Sequence, residues 1–519
     1  MQQCDFETAN STPGEGRQPV YRLDTAGQPR FPFLAIRMGR TPAGVTGEHH
    51  AAFGHRMEDD QGSWAEWHWD GESLVAKCDA NGFLPLFYAQ GPGPEFFISS
   101  SLVELVRQGV PTRLDHAALA VFFRLGYFLG NDTPFEDIKV LPAGARLVWS
   151  REHFLLKNPP RPVVAEYTGS RESALDEFIS RFRTSIAHRP PAAPGFSLPL
   201  SGGRDSRHIL FELVRQGFAP AECVTLSGGS RQPGTDADAA ARVAAAVGVP
   251  HRLLGRKPSR SGRRHPTKGV LTHFCADEHE WFLPLVEYFH KRAGCTYNGV
   301  AGTWEPEGGT PLTERASDLM DDGNVELVPH LLFQNFRVDE RRLKAVLSGD
   351  QMKAMPLELA ESRLKSELSR YGDCPNPLGT FWFENRERRE LGLVASGILG
   401  GMSTVYVPYL DHDVVSFMRS LPTRFFREGP FHHDALIRAF PEYADIPFAP
   451  VQTSMIEERG LAGKTRLLAG LLGYTLRNNP RRIPTAVRFG AGRLTGTPAM
   501  SYRMTSYLIE LEALTAAAP

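Results

Sequence analysis

Nothing in the 519-residue chain constrains its fold as tightly as the stretch from Phe196 to Gln216. Phe196 to Leu200 is an apolar run short enough for a buried strand, and Ser206 to Gln216 carries apolar residues at helical spacing. Between them stands Ser201-Gly202-Gly203-Arg204-Asp205-Ser206. A chain that leaves a strand, turns through two glycines and enters a helix gathers backbone N–H groups and the positive end of the helix dipole around one point. Phosphate oxygens suit that point: the glycines allow close approach, and the Ser201 and Ser206 hydroxyls add donors. Asp205 puts an acid beside those phosphates, which makes chemical sense when a cation such as Mg²⁺ lies between them. The bland alternative is a Ser/Gly-rich turn with an Asp helix cap. The full string, in a strand–loop–helix setting, weighs against it.

The chain on both sides keeps up the alternation. Glu172 to Ile186 reads as an amphipathic helix, Cys223 to Leu226 as a second strand and Asp236 to Val247 as a further helix. Gly248-Val249-Pro250-His251 leads into a third strand. This is the pattern of a parallel, doubly wound α/β sheet, whose ligands sit beyond the carboxyl ends of the strands. Leu200, Ser201, Gly202, Gly203, Asp205 and Ser206 are therefore candidate nucleotide-binding residues, with Leu226 and Ser227 placed to meet the adenine. Asp205, Ser201 and Ser206 are the candidate catalytic side chains. Asp236 and Asp238 read as helix-start carboxylates and His251 as a packing residue. From Trp281 onward the pattern is mainly helical.

The N-terminal part follows a different period. Residues 1–30 are polar and expected to be irregular. From 31 to 157, runs such as Phe33–Arg37, Ala65–Trp69, Ser73–Lys77 and Glu95–Ser99 alternate apolar and polar residues, with Asp70-Gly71 and Asn81-Gly82 as turns. Helical spacing over Leu102–Gln108 and His116–Leu125 completes an α+β domain. Asn158-Pro159-Pro160-Arg161-Pro162 marks its end, a nucleotide-binding domain is expected over 163–460, and 461–519 forms a basic helical tail. Leu461 to Arg503 holds eight Lys or Arg and no acid. The net charge of -1 creates no global field for nucleic acid. No apolar run reaches the length of a membrane span, and Met1–Asp5 has no signal-peptide character. Six cysteines lie scattered without a CxxC pair, which fits reduced thiols in a cytoplasmic protein.

Further segments add to the loop: Glu384-Asn385-Arg386-Glu387-Arg388-Arg389, Val407-Pro408-Tyr409-Leu410-Asp411 and Ser420-Leu421-Pro422. In the first half they are Asp79 through Tyr88, Ile98-Ser99-Ser100-Ser101-Leu102, Gly126-Tyr127, Thr133-Pro134-Phe135 and Ile138 through Gly144. Together these resemble the asparagine synthetase family, which includes β-lactam synthetases and lasso-peptide cyclases, from about Trp67 to Pro447. The resemblance implies an adenine nucleotide α-hydrolase-like domain with a pyrophosphate loop, preceded by a glutaminase-like (Ntn-type) sandwich. It implies ATP and Mg²⁺ as cofactors, with adenylation of a small-molecule or peptide carboxylate and displacement of AMP by an amine. Gly299, in Tyr297-Asn298-Gly299-Val300-Ala301-Gly302-Thr303, matches the family's second nucleotide-facing turn.

The chain departs from that family at three places. Position 2 is Gln2 rather than Cys, Cys4 would need Met1-Gln2-Gln3 removed, and no Asn-Gly-Glu stands before Trp64. The sandwich is therefore expected to be a degenerate glutaminase. Thr303 stands where the family has its second Mg²⁺-binding Asp, leaving Asp205 with Glu305, or Glu307, as metal ligands. No Lys lies between Phe440 and Gly460, so Lys464 or the basic loop Arg252–Lys268 is left to supply the family's catalytic cation. Two other readings follow: adenylating sulfur or nitrogen transfer to a nucleic acid, which the missing CxxC disfavours, and a weakened ATP-binding paralogue.

Overall fold

The first strands among the described residues pair as a hairpin of β1 (Arg22–Leu23) and β2 (Pro29–Arg30). The computed structural model describes residues 17–25, 27–38, 44–192, 194–227, 235–255, 268–277, 279–290, 292, 294–304, 310–335 and 340–449. Towards the C-terminus it describes 469, 472–473, 475–476, 480–484, 487 and 500–518. The hairpin corrects the expectation of an irregular start for residues 17–30. Its anchor is apolar: Val20 and Tyr21 are buried, and the Tyr21 hydroxyl donates to Ile398 O at 3.1 Å.

The alternating runs form two antiparallel sheets of five strands. Their strands are β3 (Phe33–Arg37), β4 (Gly44–Gly47), β5 (His50–Arg56), β6 (Gly62–Trp69), β7 (Ser73–Cys78), β8 (Phe87–Gln90), β9 (Glu95–Ser99), β10 (Lys139–Val140), β11 (Arg146–Ser150) and β12 (Phe154–Lys157). One sheet runs β10-β8-β9-β3-β4 and the other β12-β11-β7-β6-β5. Period-two alternation explains the layering. On β3, Leu34 and Ile36 join Phe53, Trp67 and Leu147 between the sheets. Ala35 faces the other way, with Phe97, towards α1 (Leu102–Arg107) and α2 (His116–Leu125). The turn after β7 is held by the buried Asp79 carboxylate, which accepts from the N–H groups of Trp64, Asn81 and Gly82 at 3.0, 2.8 and 2.9 Å. At Gly82 (φ +62°) an added Cβ would stand 2.8 Å from Ala143 Cα, so only glycine fits.

Beyond the Pro-rich boundary come α3 (Arg171–Ala187), β13 (Ser197–Pro199), α4 (Asp205–Arg215), β14 (Glu222–Ser227), α5 (Asp236–Ala246) and β15 (His251–Gly255). The three strands are parallel in the order β13-β14-β15, with Pro199 opposite Val224 and Leu226 opposite Leu254. A parallel pair, β16 (Cys295–Tyr297) and β17 (Thr404–Tyr406), lies on the other side of β13, where Thr296 Oγ1 donates to Ser197 O at 2.8 Å. Phe178, Phe182, Leu198, Leu210, Val243 and Tyr297 pack helices and strands into one core. The first strand is shorter than expected and stops before Leu200, and α4 starts at Asp205 rather than Ser206.

From Pro311 on the described residues are largely helical, with a π-helical stretch at Phe383–Leu391. That stretch joins the halves: Arg388 and Arg389 donate to Gly130 O at 2.6 and 2.8 Å, and Asn385 Oδ1 accepts from Gly130 N at 2.8 Å. The last helix, Met500–Ala516, returns to the N-terminal half, where Tyr507 packs on Phe122 with ring centroids 4.6 Å apart. Among the described residues no helix is long and apolar enough to cross a membrane.

Candidate functional site

Three chain turns meet at one edge of the parallel sheet. The loop 201–204 leaves β13, the end of β14 carries Leu226 and Ser227, and Gly299 follows β16. Parallel strands all present their carboxyl ends at the same edge, so these segments come together by topology.

The loop is tightly seated. Ser201 N donates to Ser206 Oγ at 3.0 Å, Gly203 N to Ser201 Oγ at 3.2 Å, and Gly202 N to Asp236 Oδ1 at 2.9 Å. An added Cβ on Gly202 would meet Ala239 Cβ at 2.7 Å and Ala449 Cβ at 2.8 Å, so the second residue of the loop has no space for a side chain. Asp236 is thus more than a helix-start carboxylate. It reaches back from α5 to orient the loop, and burial pushes its carboxyl above the usual range. The loop's carbonyl side is tied as well: Gly202 O accepts from Ala449 N at 3.0 Å and from Arg207 Nη2 at 3.2 Å. Arg207 also donates to Ile446 O and Pro447 O at 2.9 Å each, and its guanidinium lies 3.9 Å from the Phe448 ring centre. Burial brings Arg207 down to about 10, still protonated at neutral pH.

Asp205 opens α4 and faces Gly299 and Gly302. An added Cβ on Gly299 would lie 2.8 Å from Asp205 Cβ, and one on Gly302 would lie 2.6 Å from Asp205 Oδ1. The segment between them is strained, with Ala301 at φ +70° and its N–H donating to Glu387 Oε2 at 3.0 Å. Glycine at 299 and 302 is what lets a backbone approach this carboxylate. Behind it stands a buried polar cluster with no local sequence signature. His432 Nδ1 is 3.0 Å from Asp205 Oδ1, and His432 Nε2 is 3.2 Å from Tyr409 Oη and 3.1 Å from His208 Nδ1. The Tyr409 hydroxyl donates to Asp205 O at 3.1 Å.

Of the residues singled out from sequence, Ser201, Gly202, Gly203, Asp205 and Ser206 form one loop, with Gly299 packed on Asp205. Leu200 is buried below the loop, its N–H donating to Val224 O at 2.8 Å. His251 stands opposite Cys223 on the ladder, and its Nε2 lies 2.8 Å from Thr225 Oγ1, so it is more than a packing residue. Glu305, Glu307, Cys4, Lys464 and most of the loop Arg252–Lys268 lie outside the described residues. Among the described residues no three His, Cys, Asp or Glu side chains converge to hold a metal ion. The donor set at Asp205, one hard carboxylate at a phosphate-type loop, suits a Mg²⁺ held mainly by substrate phosphates and water. Arg207 and His432 are the site residues that sequence reasoning missed; Asp236 reads there only as a helix-start carboxylate, and Tyr409 only as part of the 407–411 segment. Arg207 alone carried a signal, since a cation in the first turn of a helix opposes the dipole.

Residues 45–158 match the family model of a glutamine amidotransferase domain, so the sandwich half of the chain is of glutamine amidotransferase type. No curated protein matches the chain.

Proposed function

We propose that the chain is an ATP-dependent, amide-forming ligase of the asparagine synthetase kind, coupled to a glutamine amidotransferase-type domain that no longer hydrolyses glutamine. The observation that carries this reading is the seating of Ser201–Ser206: a two-glycine turn between a parallel strand and a helix, with Asp205 at its mouth. A nucleotide here would set its phosphates against the N-terminus of α4, with the adenine near Leu226 and Ser227. Adenylation joins the substrate carboxylate oxygen to the α-phosphorus and breaks the α–β phosphoanhydride bond. Pyrophosphate leaves into the loop, and an amine then attacks the acyl carbon and expels AMP. Asp205, with Glu305 as the proposed second carboxylate, would hold Mg²⁺, which when bound offsets charge developing on the pyrophosphate. Ser201 and Ser206 exchange their mutual contact, 3.1 Å between the hydroxyls, for bonds to phosphate oxygens.

With no glutamine hydrolysis, the acceptor is an amine other than glutamine-derived ammonia. Carboxylate-dependent exchange of labelled pyrophosphate into ATP tests the proposal. Wild type is expected to exchange with its own carboxylate class and Asp205→Ala to lose that exchange; full exchange in Asp205→Ala would refute the loop assignment. A second reading, ATP binding without turnover, is favoured by Thr303 and by a loop whose amides are already paired. It predicts nucleotide binding with no exchange for any carboxylate.

A further inference from the structure

The His432 ring is enclosed by polar groups on both of its nitrogen sides. The Tyr409 hydroxyl spends its proton on Asp205 O, which leaves its oxygen facing His432 Nε2 as an acceptor. His208 is fully buried, and its Nδ1 lies 3.1 Å from His432 Nε2. On the far side, His432 Nδ1 lies 3.0 Å from Asp205 Oδ1. Neither of those two atoms has a directed hydrogen bond, so the contact is one of proximity. Phe178 and Tyr409 close around the ring edge-on, at 5.5 and 5.3 Å between centroids, and fix its plane.

Resting on the ligase reading above, we propose that His432 is a positioning residue for the metal–nucleotide complex, acting through Asp205. The helix Phe431–Ala439 brings the imidazole behind the carboxylate, and Gly302 closes on the same oxygen from the other side. Oδ1 is thereby enclosed, and the remaining exposure of the Asp205 side chain, 33 %, belongs to atoms turned away from the histidine. One carboxylate oxygen is enclosed by the protein, and the other is left for the cation that arrives with the phosphates. Tyr409 serves the same end by tying the Asp205 carbonyl. A ligand-orienting partner of this sort is worth about 10- to 100-fold in affinity at metal sites.

The test compares His432→Leu, which removes the ring nitrogens, with His432→Asn, whose side-chain amide restores a donor towards Asp205. ATP affinity is measured by titration with excess Mg²⁺ and again with EDTA. His432→Leu is expected to weaken binding with Mg²⁺ by about tenfold, to leave binding in EDTA within about twofold, and to melt as wild type does; His432→Asn recovers most of the loss. Equal Mg²⁺·ATP affinity in His432→Leu and wild type overturns the proposal. The contact itself is read without nucleotide, from ring-nitrogen resonances of ¹⁵N-histidine-labelled protein. Asp205→Asn is expected to shift the His432 Nδ1 signal, and an unmoved signal overturns the proposal whether or not either His432 variant folds. Absence of ATP binding in wild type with that shift present would count against the ligase reading and leave the Asp205–His432 contact standing.

Discussion

His273 shows how one side chain can set a pH dependence. It is fully buried between Phe31 and Phe87, at 5.4 and 5.2 Å between ring centroids, and burial lowers it to about 3. Between pH 6.5 and about 3 the unfolded chain binds a proton at this ring and the folded chain does not, so its contribution to stability falls as pH falls. Buried Asp79 acts in the opposite sense: raised to about 6, it protonates in the folded chain first and gains stability on acidification. A raw melting curve mixes the two, and a variant separates them. His273→Phe should gain about 2–3 kcal/mol relative to wild type between pH 7 and pH 4.5 in urea titrations; parallel curves would show that the ring is not neutral in the fold. The same scale shows what the sequence makes legible. Gly202 and Asp205 could be singled out because the phosphate loop proposed here would demand those residue types in that order. Asp236, 34 residues from Gly202, and His432, 227 residues from Asp205, could not, because nothing in a linear pattern tells which distant side chain a fold will bring to a loop.

At the level of elements, the strand–loop–helix–strand–helix order emerges from hydrophobic period alone, with boundaries one or two residues off at β13 and α4. The paired ends of α3 and β16 are invisible to that period. Arg189, just past α3, donates to Asp411 Oδ2 at 2.8 Å with both side chains almost wholly buried, and its own carbonyl accepts from the Tyr297 hydroxyl on β16. Asp411 also caps the helix His412–Ser420. This one ion pair therefore joins a helix, a strand and the turn carrying Tyr409. Replacing one member of a buried pair leaves the other uncompensated, so Arg189→Met should cost about 3–5 kcal/mol in chemical denaturation. A loss under 1 kcal/mol would mean that the pair is solvated.

Seen whole, the molecule is two chemically different halves sharing one interface. The sandwich half was legible from alternation and turn residues, and it matches the glutamine amidotransferase domain over 45–158. Much of the interface was not legible, because many of its acceptors are backbone carbonyls: Gly130 O and Asp132 O take the Arg388 and Arg389 guanidinium groups, and Leu410 O takes Asn81 Nδ2. Nor does the basic character of the tail announce that the helix Met500–Ala516 packs against α2 through Tyr507. The central claim is that ATP is split at the α-phosphate on the loop Ser201–Ser206. The most direct measurement is phosphorus NMR of the products formed from ATP, Mg²⁺ and a panel of carboxylates, with hydroxylamine as the trapping amine. Cleavage at the α-phosphate gives AMP and pyrophosphate in equal amounts together with a hydroxamate; ADP and orthophosphate as the products would rule it out.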